Sequence, residues 1–208
     1  MGYYRAGFEV VGVDIVPQPR YPFEFVQADA LEFVAEHASE FDAIHASPPC
    51  QAHSTITPDK SKHLDLIPET REALQMTGLP WVIENVAGAR GSMRDPMLLC
   101  GSSFGLRVRR HRLFESNVWL ASLPCNHVGQ GRPVGVYGSH GEPNGEFARP
   151  TGGKRGRKAA DVNEARAVMG MPWASWHGTA QAIPPAYTEF IGGQLMDEVM
   201  RGRRKGLG

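Results

Sequence analysis

Three short apolar runs, each closing on a residue able to do chemistry, constrain this chain more than any other feature. Val10 to Val13 ends in Asp14, Phe41 to Ala46 leads into Pro48-Pro49-Cys50, and Trp81 to Ile83 ends in Glu84. Runs this short and this rich in valine, isoleucine and aromatics suit strands. Between them Ala30 to Ala38, with Leu31, Phe33, Val34 and Ala35 as its apolar positions, reads as a helix, and Glu69 to Met76 lies within a second. Phe23 to Gln27 and His111 to Glu115 add two further strands. Val162 to Met169 and Pro185 to Met200 read as helices, the last with proline in its first turn. Strands and helices in alternation predict an α/β fold with a mostly parallel sheet covered on both faces. In such sheets ligands bind at the carboxyl ends of the strands, which is where Asp14, Cys50 and Glu84 fall.

Cys50 follows two prolines, which fix φ and remove two backbone donors, so a stiff loop presents its thiol. A glutamate at the end of the next strand supplies a proton donor. Together they make a candidate pair of nucleophile and acid.

Ser47-Pro48-Pro49-Cys50-Gln51 and Glu84-Asn85-Val86, in that order and spacing, resemble two motifs of the cytosine-C5 DNA methyltransferases. Arg110-His111-Arg112-Leu113-Phe114 is similar to that family's paired-arginine motif, and Asn163 to Pro172 to the motif after its target-recognition region. Ala182-Ile183-Pro184-Pro185 with Ile191-Gly192 resembles its closing helix motif. The resemblance runs to about Leu195 and is interrupted between roughly Ser116 and Ala160. It departs from the family at His53, where an apolar residue is usual, at Val108 in place of glutamine, and at Gln181 in place of asparagine. The family also opens with a strand and a glycine-rich turn, whereas Met1 to Phe8 resembles only the helix that follows them. A Rossmann-like sheet lacking its first strand is therefore expected.

The resemblance implies S-adenosylmethionine as cofactor, with Asp14 and Ile15, Asp29 and Ala30, and Pro48 around it. Asp14 also suits a turn, and Asp29 suits an N-cap for the Ala30 helix. Cys50 takes the role of nucleophile toward C6 of cytosine and Glu84 that of hydrogen-bond donor to N3. Arg110 and Arg112 supply positive charge near the thiol and the base carbonyl. C6 lies inside the duplex stack, so the partner implied is duplex DNA with a flipped cytosine. Gln51 to His63 then resembles the mobile loop that closes over the base, with Gln51 and Ser54 as contacts.

Net charge is zero, yet it is unevenly spread. Residues 1–102 carry 7 Lys+Arg against 14 Asp+Glu, a net of −7, and residues 103–160 carry 10 against 3, a net of +7. The basic middle is rich in glycine and proline, as a loop-built lobe would be. A polyphosphate backbone fits it, with Arg132, Arg149, Lys154, Arg155 and Arg157 as contacts; a solvated surface lobe is the plainer reading. The expected organisation is a catalytic core over residues 1–115, a recognition insert over 116–160, helices completing the core over 161–200, and a frayed basic tail over 201–208.

At 208 residues and 41% hydrophobic, the chain is sized for one good core. It has neither an apolar run of about 18 residues nor a charged-then-apolar leader, so no membrane partner and a cytoplasmic location are expected. A monomer is expected too. Three scattered cysteines argue against a disulfide framework. No metal is expected: Cys100, Cys125 and His127 could gather with another histidine, but only Cys125-Asn126-His127 approaches the tight ligand spacing of zinc sites. Three alternatives stay open, namely a DNA-binding remnant without catalysis, a transfer RNA cytosine methyltransferase, and a cysteine hydrolase. The last has no oxyanion-hole signature and leaves Glu84 and the arginines unexplained. Restriction-modification and viral protection of DNA are the settings the resemblance implies.

Overall fold

The computed structural model describes residues 1–55, 57–138 and 156–205. Helix α1 (Gly2–Arg5) leads to β1 (Val11–Asp14) and β2 (Glu24–Gln27), which pair in parallel with Asp14 opposite Gln27. Helix α2 (Ala30–His37) starts where the Asp29 carboxylate accepts from the backbone N–H groups of Leu31 and Glu32, satisfying two of the free donors of a helix start. Strand β3 (Ile44–Ala46), helix α3 (Ile67–Thr77) and β4 (Trp81–Val86) follow. Pro68 sits in the first turn of α3, and Gly78, at φ 70°, ends it in the left-handed conformation that glycine adopts without strain.

Strands β5 (Met97–Leu99) and β6 (Arg112–Ser116) complete a four-stranded sheet of order β3-β4-β6-β5. Here the expectation of a mostly parallel sheet needs correction. β3 and β4 are parallel, but β6 runs antiparallel to both β4 and β5. Short turns of 3-10 helix, not long crossover helices, join β4 to β5 and follow β5, which permits that reversal. Among the described residues β1 and β2 form a sheet of their own, separate from β3 and β4.

Alternation along β4 builds two cores from one strand. Trp81 and Ile83 pack with Ile67 and Leu74 of α3 and Leu113 of β6, whereas Val82 faces the other way. There it meets Phe114, Leu99, and Tyr187, Ile191 and Leu195 of the long C-terminal helix. Each fully buried side chain of this size contributes about 1.5–3 kcal/mol. Beneath the first core the Arg71 guanidinium pairs with the buried Glu115 carboxylate and donates to the Ser92 carbonyl at 2.6 Å, so neither charge is left uncompensated.

A second, smaller core lies outside the sheet. After α4 (His127–Gln130), β7 (Val134–Gly135) pairs in parallel with β8 (Arg157–Lys158), and α5 (Val162–Met169) and α6 (Trp176–Gln181) follow. Val108, Val134, Val136, Ala159, Ala165, Val168 and Met169 are buried together there. α5 and α6 pack on β7 and β8 in this lobe. The helix that returns to the sheet is α7 (Pro185–Lys205). Of the expected basic tail, residues 201–205 belong to α7, and Arg203 donates to Asp42 at 2.6 Å; residues 206–208 lie outside the described residues.

Candidate functional site

Cys50 sits in the loop after β3, half-buried, with its carbonyl accepting from the N–H groups of His53 (3.0 Å) and Ser54 (2.8 Å). Two such bonds wind the chain tightly behind the double proline. The loop is also fastened to the next strand, since the Asn85 side-chain amide donates to the Pro48 carbonyl at 3.0 Å. Gly88 holds it from a third side. A Cβ at position 88 would lie 2.3 Å from the His53 carbonyl oxygen, so only glycine permits that approach.

Glu84 is buried on β4, and its carboxylate meets Arg112 Nε at 2.9 Å. Burial pushes the carboxyl above its ordinary value, while the Arg112 charge, a hydrogen bond from Ser47 and the Arg110 charge oppose the push. The acid form therefore persists to higher pH than in water. Ser47 is the end of a chain of contacts: Tyr3 Oη lies 2.7 Å from His45 Nδ1, and His45 Nε2 lies 3.2 Å from Ser47 Oγ. Burial pushes His45 down to about 4 and raises the Tyr3 hydroxyl. At neutral pH the tyrosine thus donates to Nδ1, and the neutral imidazole carries its proton on Nε2, toward Ser47.

Arg110 has φ 37°, a conformation unfavourable to any side-chain-bearing residue. Its two terminal nitrogens donate to the carbonyls of Val136 (2.8 Å) and Ala180, tying the smaller lobe to the site. Its Nε–H is buried with no hydrogen-bond partner among the described residues. Burial, with the Arg112 charge, pushes this guanidinium down to about 9, and Glu84, Tyr187 and Cys50 pull it back up. Cys50, Glu84, Arg110 and Arg112 therefore share one electrostatic neighbourhood at the carboxyl ends of β3 and β4.

The other expected residues divide. Asp14 ends β1 and accepts from Val16 N–H at 2.8 Å and Gln18 Nε2 at 3.3 Å, the bonds of a turn. Ile15 is 65% exposed. Asp29 caps α2, of which Ala30 is the first residue. Gln51 is exposed and Ser54 half-buried. Arg132 is exposed, but Arg157 is held by the Glu164 carboxylate, whose pKa that pairing brings down to about 2. Its charge is thus compensated within the chain. Arg149, Lys154 and Arg155 lie outside the described residues.

Neither Tyr3 nor His45 was legible in the sequence, because a helix residue before β1 and a residue within β3 carry no motif of their own. Nor did the sequence point to His111. The ligating atoms of Cys100, His111, Cys125 and His127 lie within 4.8 Å of one another, although the residues are scattered along the chain. A cleft of about 350 Å³ lined by Phe41, Gly78, Pro80, Asn117 and Arg203 opens at the opposite, amino ends of β3 and β4, away from Cys50. No described helix is long and apolar enough to cross a membrane.

No family model matches the chain, and no curated protein matches it. One solved structure it resembles is described as a candidate DNA modification methyltransferase encoded within a prophage of E. coli. The identity is 23% and the TM-score 0.34, over 54% of this chain and 41% of that one. The chain thus spans less than half the length of that protein.

Proposed function

We propose that this chain transfers a methyl group to C5 of cytosine in duplex DNA, through a covalent bond between Cys50 and C6. The observation that carries the reading is the union of the two strand ends. A proline-stiffened thiol loop is bonded through Pro48 to Asn85, and the adjacent Glu84 is a buried acid, pushed above its ordinary pKa by that burial, beside two arginines. Cytosine C5 is a weak nucleophile until C6 is attacked. Cys50 thiolate adds to C6, and the ring electrons move toward C5 and N3. Glu84 relieves the charge at N3 by donating its proton there. The orphaned Nε–H of Arg110 is a buried donor suited to the base carbonyl. Once C5 carries the methyl group, the N3 proton returns to the Glu84 carboxylate, the C5 proton is lost to solvent, and the C5–C6 double bond re-forms as the C6–S bond breaks, returning the thiolate.

The resident cofactor of this reading is S-adenosylmethionine, which supplies the electrophilic sulfonium methyl taken by C5 and departs as the neutral thioether. The chain's acids fit its adenosine part. Asp14 offers about four acceptor sites, of which Val16 N–H and Gln18 Nε2 take two, so a ribose hydroxyl can still be bound. Asp29 follows the end of the paired strand β2, and Ile15, Ala30 and Pro48 complete the proposed set.

The test is transfer of labelled methyl from S-adenosylmethionine to mixed-sequence duplex DNA, with transfer RNA as a second acceptor and Cys50→Ala as control. Label at C5 of cytosine in DNA, lost in the variant, is expected. Label only in transfer RNA would move the substrate to that class, and label retained by Cys50→Ala would sink the covalent mechanism.

A further inference from the structure

We propose that Cys100, His111, Cys125 and His127 form a structural zinc site that clamps the paired-arginine segment to the connector leading into the smaller lobe. Cys100 Sγ lies 3.3 Å from His127 Nε2, and Cys125 Sγ lies 3.5 Å from His111 Nε2. The two imidazoles are inclined at 56° with ring centres 5.2 Å apart. A tetrahedral ion with bonds of about 2.0–2.3 Å requires its donor atoms to stand about 3.5 Å apart. Two sulfurs and two Nε2 atoms are already gathered at that scale, all within 4.8 Å.

The donor set and its support both point to zinc. Two thiols with two imidazoles is a common structural zinc combination, and four protein ligands leave no position for a reacting water. Ser102 Oγ donates to Cys100 Sγ at 3.1 Å and accepts from Asn126 N–H at 3.0 Å. One hydroxyl thereby steadies a ligand and orients the Cys125–His127 segment, as outer hydrogen bonds do at metal centres. Ser103 Oγ donates to the Pro124 carbonyl at 2.8 Å, and the Gln130 amide donates to the carbonyls of Leu106 (2.8 Å) and Val108 (2.9 Å). The connector is thus laid along residues 100–109, with its ligands facing theirs.

The placement gives the ion a task. Cys100 follows β5, and His111 stands between Arg110 and Arg112 just before β6. Cys125 and His127 lie where the chain leaves the sheet for β7. A bond to His111 therefore limits how far the arginine backbone can move, without the metal touching substrate. Zinc displaces the two thiol protons on binding, and no electron is exchanged.

The experiment measures metal and thiols on the full chain, purified without chelator and dialysed. Equimolar zinc is expected in the wild type and in Cys50→Ala. In Cys125→Ser, which changes an exposed side chain, and in His127→Gln, zinc content is expected to fall severalfold or more. Exchange with cobalt(II) should give the thiolate charge-transfer and tetrahedral d–d absorption of an S2N2 site, diminished in Cys125→Ser. A chelator should lower the Tm of the wild type and leave that of Cys125→Ser unmoved. Metal-free protein with three titratable thiols and no cobalt spectrum would overturn the proposal. So would a Cys100–Cys125 disulfide in freshly purified protein, or zinc retained equally by both variants.

Discussion

The Tyr187 hydroxyl on α7 bonds the carbonyl oxygens of both Arg109 (3.2 Å) and Arg110 (3.0 Å), and so fixes the backbone at Arg110, whose φ is positive. A strained residue persists only where its surroundings over-determine it, at a cost of about 1–3 kcal/mol. Here the determinant is a fully buried tyrosine from the far end of the chain. Tyr187→Phe keeps the ring and removes the donor. Thermal unfolding should show a loss of about 1–3 kcal/mol, the cost of unsatisfied buried carbonyls. Methyl transfer should fall as well, because Arg110 is freed to relax. A variant as stable and as active as the wild type would show that the hydroxyl does not hold the segment.

Gly88 is the support of the Cys50 loop that can be tested most simply. Adding one methyl group there places it against the backbone of His53, which cannot turn aside as a flexible side chain could. Gly88→Ala should cost about 1–3 kcal/mol, the usual effect of overpacking. The rate at which a thiol reagent modifies Cys50 should change with it, since the loop must shift. Unchanged stability and unchanged Cys50 reactivity would mean that the loop accommodates the methyl group freely.

The elements that the sequence announced are those whose local signals agreed with their tertiary roles. β4 was legible because Trp81 to Ile83 is apolar on both faces, and the structure buries both. α5 was legible as a helix over Val162 to Met169, and the structure starts it at the Asp161 cap and ends it at Gly170. β5 was missed because three residues after a proline, Met97 to Leu99, carry no alternation, and their place is set by β6 alone. The antiparallel course of β6 was equally hidden, since strand direction depends on the connection and not on the strand. Cys50 and Glu84 were visible because short motifs surround them. Tyr3, His45 and the four gathered sulfur and nitrogen donors depend on contacts between distant segments, which no local pattern encodes.

The Arg157–Glu164 pair gives the smaller lobe an acid sensitivity. Glu164 accepts from Arg157 and from the Ala160 N–H at 2.8 Å, and its pKa falls from an ordinary 4.5 to about 2. A carboxyl with a depressed folded-state pKa contributes stability above its unfolded value and loses it as pH falls through the folded one. That contribution should be complete above about pH 4.5 and vanish toward pH 2. Glu164→Gln should therefore lie below the wild type at neutral pH and approach it in acid when unfolding is followed by denaturant titration. A constant gap between the two at every pH would show that the charge is not responsible.

Glu84 closes the hydrogen-bonded series from Tyr3 through His45 and Ser47, and its protonation governs the proposed chemistry. If the acid form donates to N3, kcat/KM for methyl transfer should fall as pH rises through the Glu84 pKa, which burial holds above its ordinary value. His45, pushed down to about 4, is already neutral over that range and cannot be the source of the decline. Ser47 bonds the charged form, so Ser47→Ala removes a stabiliser of the carboxylate and should move the decline to higher pH. Glu84→Gln should lower the rate about 10²–10⁴-fold and flatten this limb, with DNA binding retained. A decline that stays in place in Ser47→Ala and survives in Glu84→Gln would assign the titrating group elsewhere, with the Cys50 thiol the next to examine.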